Sequence, residues 1–124
     1  MNLVDSSGWM EYWIEGPQAE VFSEAIEDTR QLIIPTVCLY EIFKKIIQMF
    51  DEKKALEAVS IMEQGRVVVF DDQLAVMSAK YSHELKLPMA DSIILATARQ
   101  HKAIIWTQDA DFKDLPDVKY FPKK

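Results

Sequence analysis

Four acidic residues stand where an acid has no ready structural reason to be: Asp5, Glu41, Asp91 and Asp109. Asp5 ends the apolar opening run Met1-Asn2-Leu3-Val4, and Asp91 interrupts Leu87-Pro88-Met89-Ala90-Asp91-Ser92-Ile93-Ile94-Leu95-Ala96. Asp109 follows Ala103-Ile104-Ile105-Trp106-Thr107-Gln108. An ionised carboxylate beside that much apolar surface costs several kcal/mol unless it is paired with a cation or binds a metal. Few lysines or arginines lie near these acids in the sequence, so a shared divalent cation is the economical explanation.

The elements that must position these acids are legible from hydrophobic patterning. Short apolar, β-branched runs of strand length occur at about residues 2–4, 31–34, 67–70, 103–106 and 118–121, and most of the longer segments between them have helical character. Ser6 or Ser7 is expected to cap a first helix bearing Trp9, Tyr12 and Trp13. A second helix starts near Pro17 and runs to about residue 28. Thr36 is expected to cap a third. A fourth covers residues 51–64 and ends on Gly65 as a left-handed C′ residue. Asp72 is expected to cap a fifth over residues 73–85, and Pro88 separates it from a sixth over 90–100. Only residues 122–124 read as a frayed tail. Alternating strands and helices predict an α/β fold: a mostly parallel sheet of about five short strands with helices on both faces. Ligands in such sheets gather beyond the carboxyl ends of the strands. Asp5 and Asp109 fall at that edge, and Asp91 opens a helix whose N-terminus favours a carboxylate.

Each acid also has an ordinary alternative. Asp5 and Asp91 are plausible helix N-caps. On its helix, however, Asp91 shares a stripe with Leu95 and Ala98, which directs it toward packed surface. Glu41 lies nearly opposite the apolar stripe Leu39, Ile42, Phe43, Ile46, Ile47 and Phe50, so periodicity alone favours a surface pair with Lys45. In Thr107-Gln108-Asp109-Ala110-Asp111-Phe112, Asp109 is nearer the strand end. Asp111 is a second choice that joins it on an extended segment and diverges on a helical turn. Asp71-Asp72 are expected to cap. His83 and His101 are isolated, which argues against zinc, and no GxGxxG, Walker lysine or GxSxG motif occurs.

At 124 residues, with 49% hydrophobic and 27% charged residues, the chain is expected to form one globular domain spanning 1–124. It has no apolar run near the ~18 residues of a membrane span, and its N-terminus lacks signal-peptide features. A single cysteine, Cys38, excludes an internal disulfide and fits a reducing compartment; a cytoplasmic protein with no membrane partner is expected. The net charge of −6 argues only weakly against a nucleic-acid partner. An acidic metal site would carry much of that excess, and its ions would cancel part of it.

Taken together, the chain resembles a PIN-domain ribonuclease, and within that family the VapC-type toxin of a VapBC toxin–antitoxin pair. The resemblance rests on Asp5-Ser6-Ser7 after the first strand and on Pro35-Thr36 followed by Glu41. It rests more heavily on residues 87–98 and on Thr107-Gln108-Asp109-Ala110-Asp111-Phe112, and it spans residues 2–112. Where the family often has Thr after the first Asp, this chain has Ser6, which keeps the hydroxyl. The resemblance implies a PIN-like three-layer α/β/α fold. It implies that Asp5, Glu41, Asp91 and Asp109 are catalytic and hold Mg²⁺ or Mn²⁺, with Asp111 a further metal ligand of second choice and Ser6 and Thr107 as hydroxyl supports. Hydrolysis of RNA by a metal-activated water would leave 5′-phosphate and 3′-hydroxyl ends. The implied partners are an RNA substrate, a cognate VapB-like antitoxin and a second copy of the chain in a homodimer. Trp9 and Trp13, at i and i+4 on the first helix, are candidates for an antitoxin groove, with core packing as the alternative.

Two other functions remain open from sequence. A receiver-type Mg²⁺-binding phosphoacceptor domain has similar length and alternation, and Asp71 after Val67-Val68-Val69-Phe70 mimics its phosphoacceptor. It would need paired acids after the first strand and a lysine after the last, and both are missing. A catalytically silent PIN binding module is the second alternative.

Overall fold

The sheet that carries the acids consists of β1 (Asn2–Val4), β2 (Leu32–Pro35), β3 (Arg66–Val68), β4 (Ile104–Thr107) and β5 (Val118–Tyr120). The computed structural model describes all residues from Met1 to Lys124. The strands lie in the order β3-β2-β1-β4-β5 and every neighbouring pair is parallel. The chain therefore steps outward from β1 to β2 and β3, then returns to the other side of β1 for β4 and β5. The reversal falls between β1 and β4, the kind of crevice in which open α/β sheets bind ligands.

The helices are α1 (Ser6–Trp13), α2 (Ala19–Glu27), α3 (Thr36–Met49), α4 (Glu52–Met62), α5 (Asp72–Leu85) and α6 (Met89–Gln100), with 3₁₀ turns at Thr29–Gln31 and Ala110–Phe112. Leu3, Val4, Ile33, Ile34 and Ile105 are buried in the central strands. That is why these strands read as continuous apolar runs rather than alternating ones. All seven residues from 92 to 98 in α6 are buried, so this helix runs through the core and brings Asp91 on its first turn to the edge of that core. No helix is long and apolar enough to cross a membrane.

Several local expectations shift in the structure. Asp5, not Ser6 or Ser7, is the N-cap of α1, accepting the Gly8 N–H at 3.0 Å. Thr36 is the first residue of α3 and not its cap; its hydroxyl accepts the Phe70 N–H at 3.2 Å and ties α3 to the end of β3. Asp71 rather than Asp72 caps α5, accepting the Leu74 N–H at 2.9 Å. The second helix starts two residues beyond Pro17, because the Gln18 N–H is taken by the Glu11 carboxylate at 2.7 Å. Gly65 is not in the left-handed region. Its requirement is steric: a Cβ there would sit 3.0 Å from the Leu32 carbonyl oxygen. Pro122 is not frayed, since its carbonyl accepts from Gln18 Nε2 at 2.9 Å.

Trp9 is fully buried. It stacks on Trp13 with ring centroids 6.2 Å apart and meets Tyr12 edge-on at 6.1 Å. The groove expectation therefore does not hold for Trp9, which belongs to the core. Trp13 is half-buried and, with Tyr12, lines a shallow recess beside Glu15 and Glu20.

Gly8 is where β1, α1 and α2 converge, for a Cβ at this position would lie 2.6 Å from Val4 Cγ1 and 2.7 Å from the Phe22 ring. Alanine in a helix gains about 1 kcal/mol of propensity over glycine, while overpacking against a strand side chain and a buried ring costs about 2–3 kcal/mol. Gly8→Ala is therefore expected to lose about 1–2 kcal/mol, seen as a lower urea midpoint at unchanged m. A midpoint at or above that of the parent would show that Val4 and Phe22 can yield.

Candidate active site

Asp5 follows β1 directly, and its carboxylate is the best-anchored acid in the chain. Both oxygens accept hydrogen bonds: Oδ1 from the Gly8 N–H at 3.0 Å and from Ser7 Oγ at 2.7 Å, and Oδ2 from Thr107 Oγ1. The two hydroxyls are themselves held by backbone donors, Ser7 Oγ by the Gln108 N–H at 3.0 Å and Thr107 Oγ1 by the Asp109 N–H at 2.8 Å. A hydroxyl has one proton to donate. Because Ser7 and Thr107 each accept an N–H, they present that proton to Asp5. Thr107, named from sequence as a hydroxyl support, donates to Asp5, and so does Ser7, which was not singled out from sequence. No local rule separates Ser7 from Ser6, since both hydroxyls open the same helix and the fold alone turns Ser7 to Asp5.

Glu41 lies on the first half of α3, half-buried, with Oε1 accepting from Ser6 Oγ at 2.6 Å. The helical stripe had suggested a surface pair with Lys45, but the only ion pair in the molecule is Lys80–Glu84, at 4.0 Å on α5. The apolar stripe itself is split. Ile42 and Ile46 are buried and Leu39 and Phe43 half-buried, while Ile47 and Phe50 are exposed. Glu41 is thus free to face the site while α3 packs through a neighbouring strip.

Asp91, Asp109 and Asp111 meet. One carboxylate oxygen from each lies within 4.8 Å of the others. Asp109 caps the 3₁₀ turn, its Oδ1 accepting the Asp111 N–H at 2.9 Å, and this Asx turn folds the Asp111 carboxylate back toward Asp91. The helical turn that was expected to separate the two acids instead brings them together. Asp5 and Glu41 are not within that tight group. Asp5 still feels the Asp109 charge, and Glu41 is held by Ser6, the residue after Asp5. Cys38 is fully buried among them. Its thiol is pushed far up by burial first, against a Ser6 hydrogen bond, and further by the charges of Asp5, Glu41 and Asp91. It is therefore held neutral, with no nucleophilic character.

Burial dominates the electrostatics, and neighbouring like charges add to it. Burial pushes Asp5 up to about 6; the Thr107, Ser7 and Gly8 hydrogen bonds oppose the shift and the Asp109 charge adds to it. Burial also pushes Asp91 up to about 8, followed by the charge of Asp109 and carboxyl contacts with Asp111 and Asp109. No lysine or arginine comes within 4.0 Å of any of these acids. Three convergent carboxylates with only oxygen donors match the preference of a hard divalent cation such as Mg²⁺ or Mn²⁺. No histidine or thiolate is offered.

Asp71, which the sequence offered as a mimic of a phosphoacceptor, caps α5 after the edge strand β3 and is not among the convergent acids. The basic side chains Lys45, Lys123 and Lys124 line a pocket of about 430 Å³ with Ser6, Ser7, Glu41 and Gln108. From sequence Lys45 entered only as a surface partner for Glu41, and Lys123 and Lys124 were not singled out, because their approach depends on the path of segment 121–124.

Asp5 and Asp91 bind protons more tightly in the folded protein than in the unfolded chain. Their contribution to stability is complete below about 3.8 and is lost as pH rises through about 6 for Asp5 and about 8 for Asp91. Metal-free protein should therefore lose thermal stability across this window. Asp91→Asn should flatten its upper part and raise Tm at pH 8 by roughly 4 °C, or about 1 kcal/mol after allowance for solvent screening. Thermal melts in EDTA from pH 4 to 8 measure this; a variant with the parent's slope would show that Asp91 titrates as an ordinary carboxyl.

Comparison with known proteins agrees with this architecture. The PIN domain family matches residues 3–118. No curated protein sequence matches the chain. Among solved structures, a toxin–antitoxin complex from Klebsiella pneumoniae is similar with a TM-score of 0.79 and 23% identity, covering 98% of this chain and 99% of that one. DNA-bound VapBC from Salmonella typhimurium gives 0.73 at 15% identity, covering 98% of each chain. Mycobacterium tuberculosis VapC20, described as a sarcin-ricin loop cleaving toxin, gives 0.72 at 13% identity, covering 91% of this chain and 92% of that one. At these identities the structural likeness speaks for the fold, and the family match, over nearly the whole sequence, identifies the chain as a member of the PIN domain family.

Proposed function

We propose that this protein is a divalent-metal-dependent endoribonuclease and the toxin of a toxin–antitoxin pair. The observation that carries the nuclease activity is the convergence of Asp91, Asp109 and Asp111 within 4.8 Å, with no cation to pair them, at the carboxyl edge of a parallel sheet. Asp91, Asp109 and Asp111 would hold Mg²⁺ or Mn²⁺, with Glu41 and Asp5 completing the acidic pocket. A bound divalent ion would supply Lewis acidity toward a phosphoryl oxygen and toward water.

The remaining roles belong to the protein's own groups. Glu41 Oε1 takes the Ser6 hydroxyl, which leaves Oε2 to accept a proton from the attacking water. Asp5 is a positioning residue. Its bond to Thr107, whose Oγ1 also accepts the Asp109 N–H, fixes the start of the segment that delivers Asp109 and Asp111. Attack by water requires no 2′-hydroxyl nucleophile, and with the 3′-oxygen as the leaving group the products carry 5′-phosphate and 3′-hydroxyl ends.

The toxin role is supported by the fold's likeness to chains solved in toxin–antitoxin complexes. RNA as the substrate is supported by the likeness to a toxin that cleaves the sarcin-ricin loop. The partners are then a VapB-like antitoxin and a second copy of the chain. Trp13 and Tyr12, in the recess with Glu15 and Glu20, are the surface offered to the antitoxin.

The test is cleavage of total cellular RNA by purified, antitoxin-free protein in Mg²⁺ or Mn²⁺, alongside EDTA and Asp91→Asn. Cleavage should disappear in both controls, and Mg²⁺ should raise the Tm of the parent by more than that of the variant. Absence of any metal-induced change in the parent would overturn the metal site, and products ending in 2′,3′-cyclic phosphate would overturn hydrolysis by water. Thr107→Val should lower the rate by about 10- to 100-fold while the fold persists, by analogy with the loss of a group that orients metal ligands. An unchanged rate would remove Thr107 from the positioning network.

A further inference from the structure

The nuclease assignment leaves a physical difficulty that the protein must meet. An RNA strand is a polyanion, and the chain carries a net charge of −6, with Asp91, Asp109 and Asp111 convergent at the site. One divalent ion cannot offset both the carboxylates and several phosphates. A source of positive charge beside the acids is needed, within about the 8 Å Debye length of physiological salt.

Three cations stand in the right place. The pocket of about 430 Å³ that adjoins Glu41 is walled by Ser6, Ser7 and Gln108 on the side of the acids and by Lys45, Lys123 and Lys124. Lys123 also lines the adjacent recess with Asp109, Ser7 and Tyr120, so it stands between the ground of Glu41 and that of Asp109. None of the three has a carboxylate within 4.0 Å. None lies over an aromatic ring, whereas Lys44, Lys54, Arg99 and Lys119 do. Glu11 shares the pocket, but its carboxylate is turned inward to the Gln18 N–H at 2.7 Å.

The placement of the two lysines at 123–124 is built in. The Phe121 ring packs edge-on against Phe22 at 5.5 Å and tilts over Trp106 at 6.0 Å. Gln18, buried, donates from Nε2 to the Pro122 carbonyl at 2.9 Å and to Gln108 Oε1 at 3.2 Å. Gln108 in turn donates its N–H to Ser7, which holds Asp5. A continuous polar chain therefore runs from Asp5 through Ser7, Gln108 and Gln18 to the backbone of the lysine segment. The backbone from which Lys123 and Lys124 extend is thereby tied to the segment that holds Asp5.

We propose that Lys45, Lys123 and Lys124 form a phosphate-binding subsite that holds the RNA backbone next to the scissile phosphate. This rests on the nuclease assignment. Met10 and Ile14 in the same pocket give the sugar or base an apolar surface, and the lysines act as point charges on phosphates rather than as readers of sequence.

The experiment uses the full chain with Asp91→Asn as background in Mg²⁺, so that binding is seen without cleavage. A fluorescein-labelled, mixed-sequence single-stranded RNA of about 12 nucleotides is the probe, followed by anisotropy across a salt series. Removing Lys45, Lys123 and Lys124 together as alanines should weaken binding about tenfold or more at about 0.1 M salt and reduce the log–log salt slope by about 2, near 0.7 per lost phosphate contact. The control triple Lys53→Ala, Lys80→Ala, Lys102→Ala removes the same charge elsewhere and should change both little. Circular dichroism confirms folding, and Lys123→Glu with Lys124→Glu should weaken binding further than the alanines at those positions. An unchanged affinity in the site triple overturns the subsite and leaves the pocket to an acidic protein segment. An equal loss in the control triple, or no RNA binding by the background protein, also overturns it. Cleavage by the parent protein is read separately, so loss of the subsite and loss of the nuclease assignment give different results.

Discussion

The Asp5 carboxylate is the knot on which the functional edge depends. It stands at the end of β1, caps α1 through the Gly8 N–H, and takes the hydroxyl protons of Ser7 and Thr107. Thr107 ends β4, so one side chain joins two neighbouring strands and a helix at the place where the sheet order reverses. The hydroxyls cannot turn away, because the Gln108 and Asp109 amides donate to them. Each bond contributes about 1 kcal/mol net, and more where the acceptor is charged. The larger consequence is geometric. With Thr107 fixed, the backbone leaves β4 in one direction, and the Asx turn at Asp109 delivers two carboxylates to Asp91.

That delivery runs against stability. Burial and mutual repulsion raise the proton affinity of Asp5 and Asp91, and no basic side chain is within ion-pair distance of the cluster. A cluster of this kind is retained where its charge is needed for something other than holding the fold. The rest of the molecule compensates with apolar burial. Residues 92–98 of α6 are buried on every side, and Trp9, Phe22 and Phe112 are fully enclosed. The same economy places lysines beside the acids but not upon them, so that positive charge is present in the pocket without neutralising the carboxylates.

Hydrophobic patterning made most of the fold legible. Buried parallel strands are apolar runs of three to four residues between polar turns, and the long helical segments between them fix the alternation. What patterning misplaced were element ends. Asp5, Ser6 and Ser7 are all chemically able to cap α1, and Asp71 and Asp72 are both able to cap α5. Capping depends on which backbone is extended, a property of the strand that precedes it. Gly65 is required by the Leu32 carbonyl, a neighbour more than thirty positions away that no local rule for helix ends can contain. Glu41 was the hardest acid to place, since a helix face is assigned to solvent or core by what it meets, and α3 meets both.

The sequence by itself determined that acids follow β1 and β4 and open α6, because strand ends and helix starts are set by local composition and by short-range backbone preferences. It determined the oxygen-only character of the donor set for the same reason, since residue types need no folding to be read. The tertiary structure alone decided which of those acids touch. Asp111 joins Asp91 and Asp109 through a single turn, Trp9 is enclosed while Trp13 stays half-open, Ser7 rather than Ser6 supports Asp5, and Lys123 and Lys124 are drawn to the site by a hydrogen-bonded glutamine pair. Each of these is a contact between segments far apart in the chain, and side-chain direction across such distances is fixed by packing and hydrogen bonding, not by local propensity.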